Sequence, residues 1–124
     1  MSTIRANTLV DMDGVSAVTL ARQVAAKVWV NFNGTSTIAT RASFNVSSLT
    51  DNGTGVYFVN YTNSLIDANH ASLATAQPNN YTGAYAGTGN TSGGTQTASR
   101  TSIEVRETGN NNSDSDFIQV AVFR

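Results

Sequence analysis

The stretch NVSSLTDNGTGVYFVNYT, residues 45–62, decides the fold class. A β-prone run leads into Asp51-Asn52-Gly53-Thr54-Gly55, where glycine supplies the positive φ that tight turns need. The chain then returns as VYFVNYT. The returning run is apolar on both faces, with Val56 and Phe58 on one and Tyr57, Val59 and Tyr61 on the other. Such a strand must be covered on both sides, by a second sheet or by another subunit. Most of the polar residues around this hairpin are Asn, Ser or Thr, and no nucleophile–base pair or metal-ligand set stands among them.

Working outward, the same pattern continues. Residues 27–33 (KVWVNFN) alternate, placing Val28, Val30 and Phe32 on one face. Asn33-Gly34 signals a hairpin. The return is expected as one strand over residues 37–48, with Ile38, Thr40, Ala42, Phe44 and Val46 inward and Ala39, Arg41, Ser43 and Asn45 outward. Towards the C-terminus, strands are expected over residues 70–76, over 97–107 with Ile103 and Val105 inward, and over 117–123 with Ile118, Val120 and Val122 inward. Residues 108–116 read as a polar loop. Residues 77–96, QPNNYTGAYAGTGNTSGGTQ, lack periodicity and read as a long loop, a length usually tied to function or disorder. At the N-terminus, β-prone runs at 3–10 and 15–20 flank the turn Asp11-Met12-Asp13-Gly14, and residues 21–27 suit one helical turn. The sum is an all-β antiparallel sandwich, jelly-roll-like, of about eight strands. It is preceded by an N-terminal β-hairpin assembly segment over residues 1–27, the sandwich itself spanning 28–124.

Composition narrows the function classes. Charged residues are 12%, about half the usual share, and the net charge is −1. That gives no basic field for nucleic acid or an anionic membrane. Cysteine is absent, so neither disulfides nor thiolate chemistry enter. No apolar run is long enough for membrane insertion, and MSTIRANTLV lacks a signal-peptide pattern. A soluble protein made in the cytoplasm is expected. With a thin core and no staples, such a chain commonly gains stability by oligomerising.

Candidate chemistry is sparse. His70 is the only histidine and reads as structural, since geometry makes a catalytic base and presence alone does not. Asp11-Met12-Asp13-Gly14 fails as a calcium loop because its twelfth position is Arg22 and not Glu. Asp114 and Asp116 could join the asparagines at 110–112 around a cation, but a solvated loop is the stronger reading. Glu104 and Glu107, the only glutamates, fall on opposite faces of one strand. No catalytic residue, metal or cofactor is assigned. The many N-x-S/T sequons follow from composition. Tyr81 and Tyr85, with Asn79, Asn80 and Asn90 near them, have the Tyr/Asn/Gly/Ser chemistry of adaptable binding loops and are the candidate ligand-binding residues. Arg41 and Arg100 are expected to pair with acids across strands or an interface.

At residues 29–62 the sequence becomes specific. WVNFNGTSTIATRASFNVSSLTDNGTGVYFVNYT resembles a module of tail-fibre and other virion proteins of marine and cyanobacterial bacteriophages. Its usual form is W-x-N-F-N-G-T, then I-R-x-S-F-N-V-S-S-[IL]-T-D-N-G-T-G-D-Y, then V-N-[FY]-T. Trp29 and residues 31–35, 43–48 and 50–55 match. MSTIRANTLVDMDG and DFIQVAVFR also resemble the first and last segments of small proteins of that group. The chain departs from the pattern at Val56-Tyr57, where Asp-Tyr is usual, and at His70, where Tyr is usual. The resemblance implies a virion structural protein, a homotrimer, at the host-contacting end of a fibre, with other phage tail or virion proteins and a host surface glycan as partners. Threefold packing would cover Val15, Val18, Val24 and Trp29. A capsid or neck decoration protein without a receptor is the alternative. A glycan depolymerase or a monomeric carbohydrate-binding module ranks below it.

Overall fold

The computed structural model describes residues 24–77, the backbone of 84–88, and residues 96–124. Among the described residues eight strands run in chain order: β1 (Ala26–Asn33), β2 (Ala39–Phe44), β3 (Val46–Asp51), β4 (Val56–Tyr61), β5 (Ala71–Gln77), β6 (Ala84–Thr88), β7 (Arg100–Glu107) and β8 (Phe117–Phe123). They form two antiparallel sheets, ordered β2-β1-β8-β5 and β3-β4-β7-β6. No helix occurs among the described residues. The first and last strands lie side by side at the centre of one sheet, and β4 lies beside β7 at the centre of the other. The chain changes sheets between these nested pairs, which gives the sandwich its jelly-roll-like winding.

Alternation explains the core. Val28, Val30 and Phe32 of β1 and Ile118, Val120 and Val122 of β8 point inward and are buried, as the sequence pattern requires. Opposite them stand Tyr57, Val59 and Tyr61 of β4 with Ile103 and Val105 of β7. Phe32 meets Tyr57 edge-on, with ring centroids 5.3 Å apart. On the other side of β4, Phe58 is covered by the guanidinium of Arg100, 4.6 Å from the ring centroid. Both faces of β4 are therefore occupied, as its two apolar faces demand.

Several expectations need correction. The single strand over 37–48 is two strands in different sheets. Asn45 breaks it with φ 57°, a left-handed conformation that Asn tolerates better than most residues. The consequence reverses part of the face assignment. Phe44 pairs with Trp29, and Ala42 with Asn31, so these residues face outward, and Phe44 is exposed. Ile38 and Val46, at either end, do pack against the core. The hairpin at Asn33-Gly34 forms, but as a longer loop, since Asn33 pairs with Ala39 and the positive φ falls on Ser36. Residues 26 and 27, assigned to a helical turn, are strand, because β1 extends until Ala26 pairs with Phe123. The domain boundary at 28 thus falls inside β1. The long loop over 77–96 contains β6, an edge strand paired with β7. The N-terminal hairpin, with Val15 and Val18, lies outside the described residues.

Candidate binding face

Two polar clusters close the ends of the sandwich. At one end, Gly55 must have φ 67°, and a Cβ there would lie 2.5 Å from the Val105 carbonyl oxygen. That close approach lets Gly55 N–H donate to Asp114 Oδ1 at 2.7 Å, while the Val105 N–H donates to the Gly55 carbonyl at 2.7 Å. The Tyr57 hydroxyl shares its one proton between Asp114 Oδ1 at 2.7 Å and the Gly34 carbonyl at 2.9 Å. Burial, then the hydrogen bond to Asp114 and its negative charge, push the Tyr57 phenol far above its ordinary range. Gly34 N–H donates to the Ser115 carbonyl, and the buried Ser115 hydroxyl donates to the Gln77 carbonyl. Asp116 accepts from Thr35 Oγ1 at 2.8 Å. The segment expected as a solvated or cation-binding loop is therefore a fastener joining both sheets through Asp114, Ser115 and Asp116. Among the described residues no group of His, Cys, Asp and Glu is placed to hold a metal.

At the other end, Asn45 Nδ2 donates to the Lys27 and Asn63 carbonyls, both at 3.1 Å, and its Oδ1 accepts from Asn63 N–H at 2.7 Å. His70 is buried, its Nε2 3.1 Å from the Tyr61 hydroxyl, which fits a structural role. Burial pushes the Tyr61 phenol up to about 12. Glu104 is held by Arg106 at 2.7 Å, and Glu107 accepts from Asn111. Within this single chain, Arg41 and Arg100 make no ion pair with an acid among the described residues. They lie over the rings of Phe117 and Phe58. The ion pairs among the described residues are Arg106–Glu104 and the exposed Arg124–Asp67. Two hydrogen bonds from Arg124 help hold the Asp67 carboxyl below its usual range.

The outward face of the β2-β1-β8-β5 sheet carries exposed apolar side chains. Register places Phe44, Trp29, Ala121 and Leu73 in one row across its four strands. Phe44 is 56% exposed, Trp29 40% and Leu73 59%. The next row is Ala42, Asn31, Gln119 and Thr75. A depression of about 390 Å³ lies between Trp29, Asn31, Leu73, Thr75 and Gln119. At its base Asn31 Oδ1 is buried without a hydrogen-bond partner. Phe44 also walls a groove of about 430 Å³ with Lys27, Asn63 and Ser64. Among the described strand residues of this sheet, the charged ones are Lys27 and Arg41. Apolar side chains and neutral amides can bind by contact and hydrogen bonding. They supply no acid–base pair.

Of the sequence-derived candidates, Trp29 lies in this face. Val24 is exposed at its end, beside Ala71 and Phe123. Tyr85 has its backbone in β6, opposite Arg106. Its side chain, and Asn79, Asn80, Tyr81 and Asn90, lie outside the described residues. The sequence does not mark Phe44 and Leu73 as binding residues, because an apolar residue in an alternating run reads as core. No family model, curated protein or solved structure matches this chain. The fold and this face therefore define the class: an all-β sandwich with a neutral, aromatic-bearing sheet face.

Proposed function

We propose that the chain is a bacteriophage virion structural protein, a homotrimeric tail-fibre tip or adhesin that contacts host surface glycan. The observation that carries this reading is the structural use of the residues in the module resemblance. Asn33 ties the β1–β2 loop through Thr35, Gly34 lies where a Cβ would meet Tyr57, and Gly55 where one would meet the Val105 backbone. Asn45 makes the left-handed break between sheets. These positions set loop and sheet-crossing geometry in this chain, which supports reading the likeness as one of scaffold. A charge-poor surface also suits work at high salt, since screening weakens charge pairs and leaves neutral hydrogen bonds largely intact. In this reading the 77–96 segment, with Asn79, Asn80, Tyr81, Tyr85 and Asn90, supplies the glycan contact.

Antibodies raised against the purified chain, applied with gold label to phage particles, test the assignment. Label at the distal end of tail fibres is the expected result. Label confined to capsid or neck would replace the fibre reading with a decoration protein, and unlabelled particles would overturn the virion assignment.

A further inference from the structure

We propose that Asn52 is a site of spontaneous covalent modification, in which the Gly53 backbone nitrogen attacks the Asn52 side-chain amide and converts it, through a succinimide, into isoaspartate and aspartate. This chemistry goes beyond the proposed function and does not rest on it. The sequence holds two Asn-Gly dipeptides, Asn33-Gly34 and Asn52-Gly53. Glycine is the follower that hinders this attack least, because it has no Cβ and its backbone turns freely. Sequence alone therefore ranks the two sites alike, and the fold separates them.

At Asn33-Gly34 both reacting groups are held. The Asn33 side chain donates through Nδ2 to the Thr35 carbonyl at 3.0 Å and accepts at Oδ1 from the Thr35 N–H at 3.2 Å. The Gly34 N–H donates to the Ser115 carbonyl at 2.9 Å. Gly34 is buried, and a Cβ there would stand 2.6 Å from Tyr57 Oη, so its peptide has no room to swing the nitrogen onto Asn33 Cγ. Asn52 and Gly53 are both exposed, in the turn joining β3 to β4. Nothing lies within 4 Å of the position a Gly53 Cβ would take, and its φ of 110° is one that glycine leaves at little cost. The Gly53 N–H donates to Asp51 Oδ1 at 2.9 Å, so the proton that must leave the nitrogen already lies against an exposed carboxylate within reach to take it. The nitrogen then bonds to Asn52 Cγ, the Cγ–Nδ2 bond breaks, and Nδ2 leaves as ammonia carrying that proton. Water opens the ring at either carbonyl. Attack at Cγ gives aspartate, and attack at the backbone carbonyl gives isoaspartate, whose main chain runs through Cβ and Cγ. That longer main chain falls between two turn bonds, from Asn52 N–H to the Val56 carbonyl at 2.9 Å and from Val56 N–H to the Gly53 carbonyl at 2.8 Å. Isoaspartate therefore loosens the turn that sets Gly55 against Asp114.

Each conversion adds one negative charge to a chain whose net charge is −1, so ion-exchange chromatography separates the products from the parent. The purified full chain is kept in warm, mildly alkaline buffer, both native and in denaturing urea, and sampled over days. Peptides are mapped by mass spectrometry with electron-transfer fragmentation, which tells isoaspartate from aspartate. In the native chain Asn52 should convert at least about tenfold faster than Asn33, because the buried site must wait for the fold to open. In urea the two should convert at similar rates. Asn52→Gln should remove the early acidic product while leaving the native spectrum unchanged. The isoaspartate fraction should unfold at lower urea than the parent. Equal native rates at the two sites, an Asn52 that converts only in urea, or an early acidic product that persists in Asn52→Gln would overturn the proposal. Equal urea midpoints for the isoaspartate fraction and the parent would overturn the loosening of the turn. None of these results bears on gold labelling of particles, so this proposal and the virion assignment can fail separately.

Discussion

Gly34→Ala tests whether the loop fastener holds the sandwich shut. Gly34 is buried, and its φ is not in the left-handed region, so conformational freedom is not what the site needs. It needs space. An added Cβ would lie 2.6 Å from Tyr57 Oη, 2.7 Å from Ile118 Cδ1 and 2.8 Å from Tyr57 Cζ. Neither neighbour can swing into solvent, because Tyr57 and Ile118 are fully buried. Overpacking of this kind costs about 1–3 kcal/mol. Displacing the Tyr57 hydroxyl also strains its bond to the Asp114 carboxylate, a bond to a charged group worth about 1.5–3 kcal/mol. Together these give a loss of about 3–5 kcal/mol, a large part of the stability of a domain this size. Urea denaturation with two independent probes measures it. Tyr57→Phe removes the nearest clashing atom but leaves Cζ and Ile118 in the way. The double variant should therefore be more stable than the sum of the single losses implies, by about 1–2 kcal/mol. If Gly34→Ala unfolds at the wild-type midpoint, or the two changes add fully, the account of this fastener is wrong.

Other outcomes follow from the same geometry. Tyr57 and Tyr61 both have folded-state pKa values above the ordinary 10 of the unfolded chain. Their contribution is complete below pH 10 and is lost as pH rises past 10 towards those folded values. At pH 11 each should contribute a loss of about 1.4 kcal/mol, and Tyr57→Phe should roughly halve the slope seen in alkaline melts followed by circular dichroism. Asn45→Ala should cost about 2–4 kcal/mol, from left-handed strain and lost side-chain bonds; Asn45→Gly, which removes only the bonds, should cost less, and equal losses in chemical denaturation would refute the strain component. Asp67→Asn breaks an ion pair at a solvent-accessible site and should leave the melting temperature nearly unchanged. Adding sodium chloride to 1 M, where the screening length is about 3 Å, should likewise shift melting little; a large fall would mean that charge pairs matter more than the described residues indicate.

The physics of each segment explains how legible it was. β1, β7 and β8 alternate strictly and sit at sheet centres, so the inward positions of Val28, Val30, Ile103, Val105, Ile118 and Val120 follow from period two. The break at Asn45 was hidden because alternation runs through it unchanged: one left-handed residue moves the chain to another sheet without altering the polarity pattern. That is why Phe44 reads as core in the sequence and lies outside it. β6 gives no sequence signal because Ala-Tyr-Ala-Gly-Thr sits among glycines and its pairing with β7 is long-range. The fastening role of Asp114 and Ser115 could not be read either, since it depends on loops from both sheets meeting at Gly34 and Gly55. The exposed row of Phe44, Trp29 and Leu73 needed the register of three strand pairs before it existed as a surface.

The measurement that bears most directly on the central claim is the solution mass of the purified chain by light scattering. A stable trimer, about 39 kDa from chains of 13.0 kDa, is expected. A well-behaved monomer of 13.0 kDa would contradict a self-assembling fibre protein.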